Sequence, residues 1–178
     1  MADVSVRVAR PDDVDEIARI QRETWQTAYA RFIPETVLAE VTPELGRQQW
    51  GAAVNSPPSP EHRVLVALEQ DTIVGFVAFG PSSDDDAPPH TGTISTMLVE
   101  PRWGRRGHGS RLLAASVDHL RADHAQSATA WILDRDRASN AFYTSAGWSP
   151  DRTARALDAP GGELREIRLH TSLVDDDG

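Results

Sequence analysis

The sequence contains no cysteine. Disulfides, thiolate metal sites and a cysteine nucleophile are therefore excluded. Lysine is absent as well. All 18 basic residues are arginine, against 27 aspartates and glutamates, and the formal charge is −9. A general nucleic-acid binder needs a net basic face to displace counterions, and this balance argues against one. There is no long apolar run. The longest, Ile73–Phe79, is seven residues with a glycine inside it, whereas a membrane span needs about 18. The opening stretch MADVSVRVARPDD lacks the apolar region of a signal peptide. These absences lead us to expect a soluble, cytoplasmic protein with no nucleic-acid and no membrane partner. The six histidines show no tight ligand spacing, and His119 and His124 diverge on a helix, so no metal is expected.

What is present is ordinary for a folded domain. Apolar residues make up 39% of the 178, enough for a core, and the length fits one domain at about 150 residues each. We place that domain at 4–170, followed by an acidic tail at 171–178. Val4–Val8 alternates as a first strand. Pro11-Asp12-Asp13 opens a helix whose apolar face holds Val14, Ile17, Ala18, Trp25, Ala28 and Tyr29, which predicts a helix to about residue 30. A second helical stretch, punctuated by Pro34 and Pro43, ends near Val54. Strands are predicted over 63–68 and 72–80 as a hairpin, then over 93–100. A helix over 108–123, a strand over 128–133, a helix over 137–146 and strands near 152–157 and 163–170 follow. Strands and helices mix without regular βα alternation, which points to an α/β or α+β layer with a mixed sheet and away from a Rossmann sheet or a TIM barrel.

The most informative window is Met97–Leu113, MLVEPRWGRRGHGSRLL. A strand ends in proline, a glycine-rich turn follows and a helix starts. N–H groups in such a turn and in the first helical turn lack intrachain partners and meet the positive end of the helix dipole, a setting for phosphate. Arg102, Arg105, Arg106 and Arg111 cluster there with no acid between them. A P-loop needs a lysine after its last glycine, and there is none. A Rossmann fingerprint needs a third glycine where Leu112 stands. An ordinary glycine-rich turn with solvated arginines is the other reading of this window.

The same window resembles the coenzyme A pyrophosphate loop of the GNAT superfamily, the acyl-CoA-dependent N-acyltransferases, with pattern V-x-P-x-x-(Q/R)-x-x-G-x-(G/A). Val99, Pro101, Gly107 and Gly109 match; Gly104 stands at the Q/R position, with Arg105 or Arg106 to supply the charge. A second window, AWILDRDRASNAFYTSAGWSPD at 130–151, resembles the family's N-x-x-(A/S)-x-x-F-Y-x-x-x-G-(F/W) through Ser139, Phe142, Tyr143, Gly147 and Trp148. Asp136 takes the asparagine position, and Asn140 lies one helical turn later. The opening strand, P-D-D and the T-W-x-x-A-Y helix also look like the family. The resemblance covers roughly residues 4–170.

It implies a GNAT-like mixed, mostly antiparallel sheet with two splayed parallel central strands, here 93–100 and 128–133, flanked by helices. It also implies an N-acetyltransferase that passes an acetyl group from acetyl-CoA to a primary amine of a small molecule or peptide by direct attack, without a metal. On that resemblance the cofactor-binding residues are Met97, Leu98 and Val99 for the pantetheine and Arg105, Arg106, Gly107, His108, Gly109 and Ser110 for the pyrophosphate, with Asn140. An N–H near Leu98 polarises the acetyl carbonyl. Tyr143 takes the position of the acid that protonates the leaving thiolate. Tyr29, Trp25, Ser95 and Thr96 fall on the acceptor side; core packing explains Trp25 at least as well. The glutamate that many relatives use as base has Thr93 as its counterpart, so no base is named. Asp84–Asp86 reads as a solvated loop, or as a lid favouring cationic amines. A homodimer is a further expectation of the resemblance. The rival reading is a non-catalytic acyl-CoA-binding regulatory module.

Overall fold

Residues Arg63–Glu69 read VLVAL between two charged ends, and all five are buried. Successive side chains of a strand point to opposite faces, so an unbroken apolar run needs cover on both sides. In the computed structural model, which describes residues 3–175, both faces are covered. Leu65 and Ala67 face one core cluster, and Val64, Val66 and Leu68 face another.

The strands are β1 (Val4–Val8), β2 (Arg63–Glu69), β3 (Thr72–Pro81), β4 (Thr91–Val99), β5 (Ser127–Leu133), β6 (Ser149–Ala159) and β7 (Gly162–Ser172). They form one seven-stranded sheet in the order β1-β2-β3-β4-β5-β7-β6. All neighbours are antiparallel except β4 and β5, which run parallel. The helices are α1 (Val14–Thr27), α2 (Glu35–Glu40), α3 (Pro43–Asn55), α4 (His108–Ala122) and α5 (Arg137–Ser145). Leu112, Leu113 and Leu120 of α4 and Tyr143 of α5 fill the core on one face of the sheet. Val14, Ile17, Ala18 and Ile20 of α1 and Trp50 of α3 fill the core on the other. The mixed, mostly antiparallel sheet with a parallel centre flanked by helices is the expected fold class.

Three elements differ from the sequence reading. α1 stops at Thr27, not near residue 30, and the chain turns through 28–33. Pro34 disfavours a helical conformation at the residue before it, and Ile33 is drawn into a small cluster with Val37, Leu133 and Leu164. Tyr29 therefore sits on a turn. The stretch expected as one helix over 34–54 is two: it breaks at Val41–Thr42, where the Thr42 hydroxyl accepts the Leu45 N–H at 3.2 Å and Pro43 occupies the first helical position. The last two strands are longer than predicted. β7 continues to Ser172, and Leu173 is buried. Of the acidic tail, residues 176–178 lie outside the described residues.

The feature that makes a site is in β4. Its ladder with β3 slips where Ala78 pairs Thr96 and Phe79 pairs Ile94, leaving Ser95 as an extra residue. Its parallel ladder with β5 pairs Thr91–Ile94 with Ser127–Ala130 and then ends. Past Ile94 the two strands separate, and the edge of β4 that faces β5 loses its sheet partner.

Candidate active site

The gap between β4 and β5 holds a cavity of about 80 Å³. Ser95 through Leu98 of β4 form one wall and Trp131 through Leu133 of β5 the other. Tyr143 closes it from α5, and Trp25 and Tyr29 cover it from α1 and the turn beyond. A groove of about 380 Å³ continues from it along Met97 and Val99 to the start of α4. Tyr29, Met97 and Ser139 line both spaces, so they form one passage.

At its far end the passage meets an anion cradle. Among the described residues, the backbone N–H groups of Arg105 through Ser110 have no acceptor, while the next, Arg111 N–H, returns to the Gly107 carbonyl at 3.0 Å. Gly107 has φ +81°, and a Cβ there would crowd the Arg111 guanidinium at 2.8 Å. Among the described residues, no acid lines this groove. Convergent N–H groups at the positive end of a 15-residue helix suit a phosphate group. A Cβ at Gly109 would stand at ordinary contact distance from the Phe142 ring, 3.5 Å, and from Val99, 3.9 Å, so it would clash with neither.

The four arginines of the window are not equivalent. Arg102 pairs with Glu100 at 2.9 Å. Arg106 turns away from the groove to Glu69 at 2.8 Å and stacks over Trp103. Arg111 donates to the Arg106 carbonyl at 2.9 Å. Arg105, at φ +61°, lines the groove and has no ion-pair partner among the described residues. Between the two candidates for the missing family charge, the geometry favours Arg105. His108 is buried, with Nε2 2.9 Å from Glu69 Oε2, so its ring anchors the turn from behind. That contact and Arg106 together hold the Glu69 carboxyl below its ordinary range.

Tyr143 is 3% exposed and packs edge-on between Phe142 and Trp148. Its hydroxyl has no protein partner among the described residues and faces the cavity. Burial raises its phenol above the ordinary value, and the neighbouring Tyr29 and Asp136 add to the effect. Tyr29 is pushed up to about 12, first by burial and then by Asp136. Asp136 is buried and caps α5, accepting Ser139 N–H at 3.1 Å and Ser139 Oγ–H at 2.5 Å.

Ser95 through Leu98, Tyr29, Trp25 and Tyr143 are thus gathered around one cavity, and Val99, Arg105 and Gly107 through Ser110 around the adjoining groove. Asn140 and Arg106 line neither. Thr93 lies in the closed part of the seam, accepting from Thr129 Oγ1 at 3.0 Å. Within Asp84–Asp86, Asp85 and Asp86 are exposed, as a solvated loop implies, while Asp84 and Asp86 also pair with the buried Arg168 at 3.1 and 2.7 Å. Asp84 also accepts from Trp131 Nε1 at 3.3 Å.

Glu166 was missed from the sequence. It lines the cavity from β7 and is 8% exposed. Alternation in LREIRLH places it on the same face as Leu164, an inward position for an acid. That signal was available, but nothing in the sequence says that β7 lies beside the gap.

Comparisons with known proteins agree with this geometry. The family described as "Acetyltransferase (GNAT) family" matches residues 15–148. The chain is 26% identical over 167 residues to the uncharacterized N-acetyltransferase YuaI of Bacillus subtilis (strain 168), covering 93% of this chain and 91% of that one. It is 27% identical over 169 residues to a phosphinothricin N-acetyltransferase of Streptomyces coelicolor, covering 93% and 94%. The fold is shared with yncA from Salmonella typhimurium, solved with acetyl-CoA, at TM-score 0.69 and 20% identity over 98% of this chain and 96% of that one. It is also shared with the paia N-acetyltransferase from Thermoplasma acidophilum, solved with coenzyme A, at TM-score 0.72 and 13% identity over 96% and 99%.

Proposed function

The chain belongs to the acetyltransferase (GNAT) family, and on that premise we propose that it is an acetyl-CoA-dependent N-acetyltransferase acting on a primary amine of a small molecule or peptide. The observation that carries the proposal is the single passage from the unpartnered N–H groups at 105–110 to the gap between β4 and β5. One end suits a pyrophosphate, the middle offers the free edge of a strand to the pantetheine amides, and the other end holds a cavity for the thioester and the amine.

The reaction has three requirements. The amine must be neutral, although an alkyl amine has a pKa near about 10. As nitrogen bonds to the carbonyl carbon, the oxygen gains charge and needs a donor. When the C–S bond breaks, the thiolate takes a proton. The extra residue at Ser95 re-aims the strand, and the N–H of Leu98 is our candidate donor to the oxygen. Tyr143 supplies the proton. Its raised pKa keeps it protonated but makes it a weak acid on its own. It therefore serves as a relay, passing its proton to sulfur as it receives the one that the new amide nitrogen loses.

The test is calorimetry of acetyl-CoA binding together with release of free thiol across a broad panel of primary amines. Binding with amine-dependent thiol release is the expected outcome. Binding with no release by any amine would leave only the regulatory module.

A further inference from the structure

The charged groups around the cavity are unequally used. Asp136 is consumed in capping α5. Glu166 is different. Arg155 donates to it from Nε at 2.9 Å and from Nη2 at 2.7 Å, and both bonds end on Oε1. Oε2 has no partner among the described residues, and it belongs to a side chain that lines the cavity. No arginine or histidine lines that cavity among the described residues. Behind it, four carboxylates, Asp84, Asp86, Asp151 and Glu166, share two guanidinium groups, Arg155 and Arg168. This end of the sheet keeps a negative surplus after all its pairs are made. Trp25 and Tyr29 give the cavity aromatic walls, which favour a cation over an anion, while the Trp131 ring already carries Arg155 at 3.9 Å.

Trp25 and Leu164 also border a second space of about 200 Å³. Val37, Leu45, Leu157 and Ala159 line it, between α2, α3 and the β6–β7 hairpin, together with Glu40 and Asp158. That lining offers an apolar wall with acids and no cation among the described residues.

Resting on the acetyltransferase reading, we propose that the acceptor is a primary alkyl or arylalkyl amine with no carboxylate beside the nitrogen, and that Glu166 Oε2 receives its ammonium. The apolar remainder runs past Trp25 and Leu164. An α-carboxylate sits two bonds from the nitrogen. It could not leave the cavity while the nitrogen reacts, and it would meet the free Oε2 of Glu166, whose cation, Arg155, is engaged at Oε1, with no arginine or histidine among the described lining residues to receive it, so α-amino acids are rejected. The same oxygen takes the proton that the ammonium sheds: an N–H bond breaks, an O–H bond forms on Oε2, and the proton passes on to water.

The experiment compares 2-phenylethylamine with L-phenylalanine, which differ by one carboxylate, in steady-state thiol release and in calorimetric binding to the protein saturated with CoA. The amine is expected to bind and to have a kcat/KM at least about 100-fold the higher, the loss of two tenfold steps. Glu166→Gln keeps the shape and an acceptor for Arg155. It should lower kcat/KM for the amine about tenfold or more, as for a lost hydrogen bond to a charged group, and narrow the gap between the two acceptors. Acetyl-CoA affinity should not change. Equal or better use of phenylalanine, an unchanged ratio in Glu166→Gln, or no binding of the amine overturns the acceptor assignment. Failure of the protein to bind acetyl-CoA, or binding with no thiol release by any amine of the broad panel, overturns the reading beneath it.

Discussion

At the scale of single residues, the decisive contrast is between groups that have partners and groups that do not. Tyr143 is buried among aromatic rings, yet its hydroxyl bonds to nothing in the protein among the described residues. Removing that hydroxyl should therefore cost less than the roughly 1 kcal/mol of an ordinary hydrogen bond. Tyr143→Phe is expected to melt like the parent and to bind acetyl-CoA as tightly, with kcat reduced about 10²-fold or more. Near-normal kcat would make Tyr143 a packing residue. Trp25 and Tyr29 separate differently from what their positions on one helical face implied. Both are half-buried and pack against the same two clusters, Tyr29 from a turn and Trp25 from α1, and Trp25 also borders the second space. Tyr29→Ala should raise the acceptor KM and lose some stability. Trp25→Ala should raise KM as well and lose stability, by less than the roughly 3–5 kcal/mol of a fully buried ring. Kinetics and melting of the pair check this; a Trp25 variant with unaltered KM would return the residue to the core alone.

Elements were more legible than contacts. The strand-turn-helix at 97–113 could be read from glycines, a proline and apolar spacing, because these act locally. The choice between Arg105 and Arg106 could not, since it is made by Glu69, 37 residues before Arg106 in the chain. The break at Val41–Thr42 was hidden for the opposite reason: Thr42 and Pro43 form a local cap signal that the apolar pattern on either side masked. Glu166 needed topology. β7 neighbours the gap only because it is inserted between β5 and β6 in the sheet. Helix α4 offers the prediction at this scale. At Gly109 a Cβ finds ordinary contact with the Phe142 ring at 3.5 Å and no clash. Gly109→Glu should thus fold, while placing bulk and negative charge in the anion cradle. Calorimetry is expected to show a large loss of acetyl-CoA affinity with melting retained. Unchanged affinity would move the phosphate elsewhere.

For the molecule as a whole, the arginine-only basic set determines the response to acid. Asp13, Asp86 and Asp123 are each held below the ordinary carboxyl value of 3.8, by hydrogen bonds from Arg7, Arg168 and Arg63. Glu69 is held below 4.5, first by His108 and then by Arg106. A lowered folded value means that the unfolded chain binds more protons at low pH. The stabilisation is complete above the unfolded values and drains away as pH falls through the folded ones. The melting temperature should be nearly flat from about pH 8 to 5 and fall below about pH 4. A melting temperature that held to about pH 3 would show that these pairs add nothing. The parallel seam has a different consequence. Among the described residues, backbone bonding joins β1–β4 to β5–β7 along His90–Ile94 and Gln126–Ala130 alone. The sheet is in effect a book with a short spine, and whatever lies between the pages is its clasp. Amide exchange along the spine should slow when acetyl-CoA binds, although none of those residues lines the cavity or the groove, because the opening motion that exposes them needs the pages free to part.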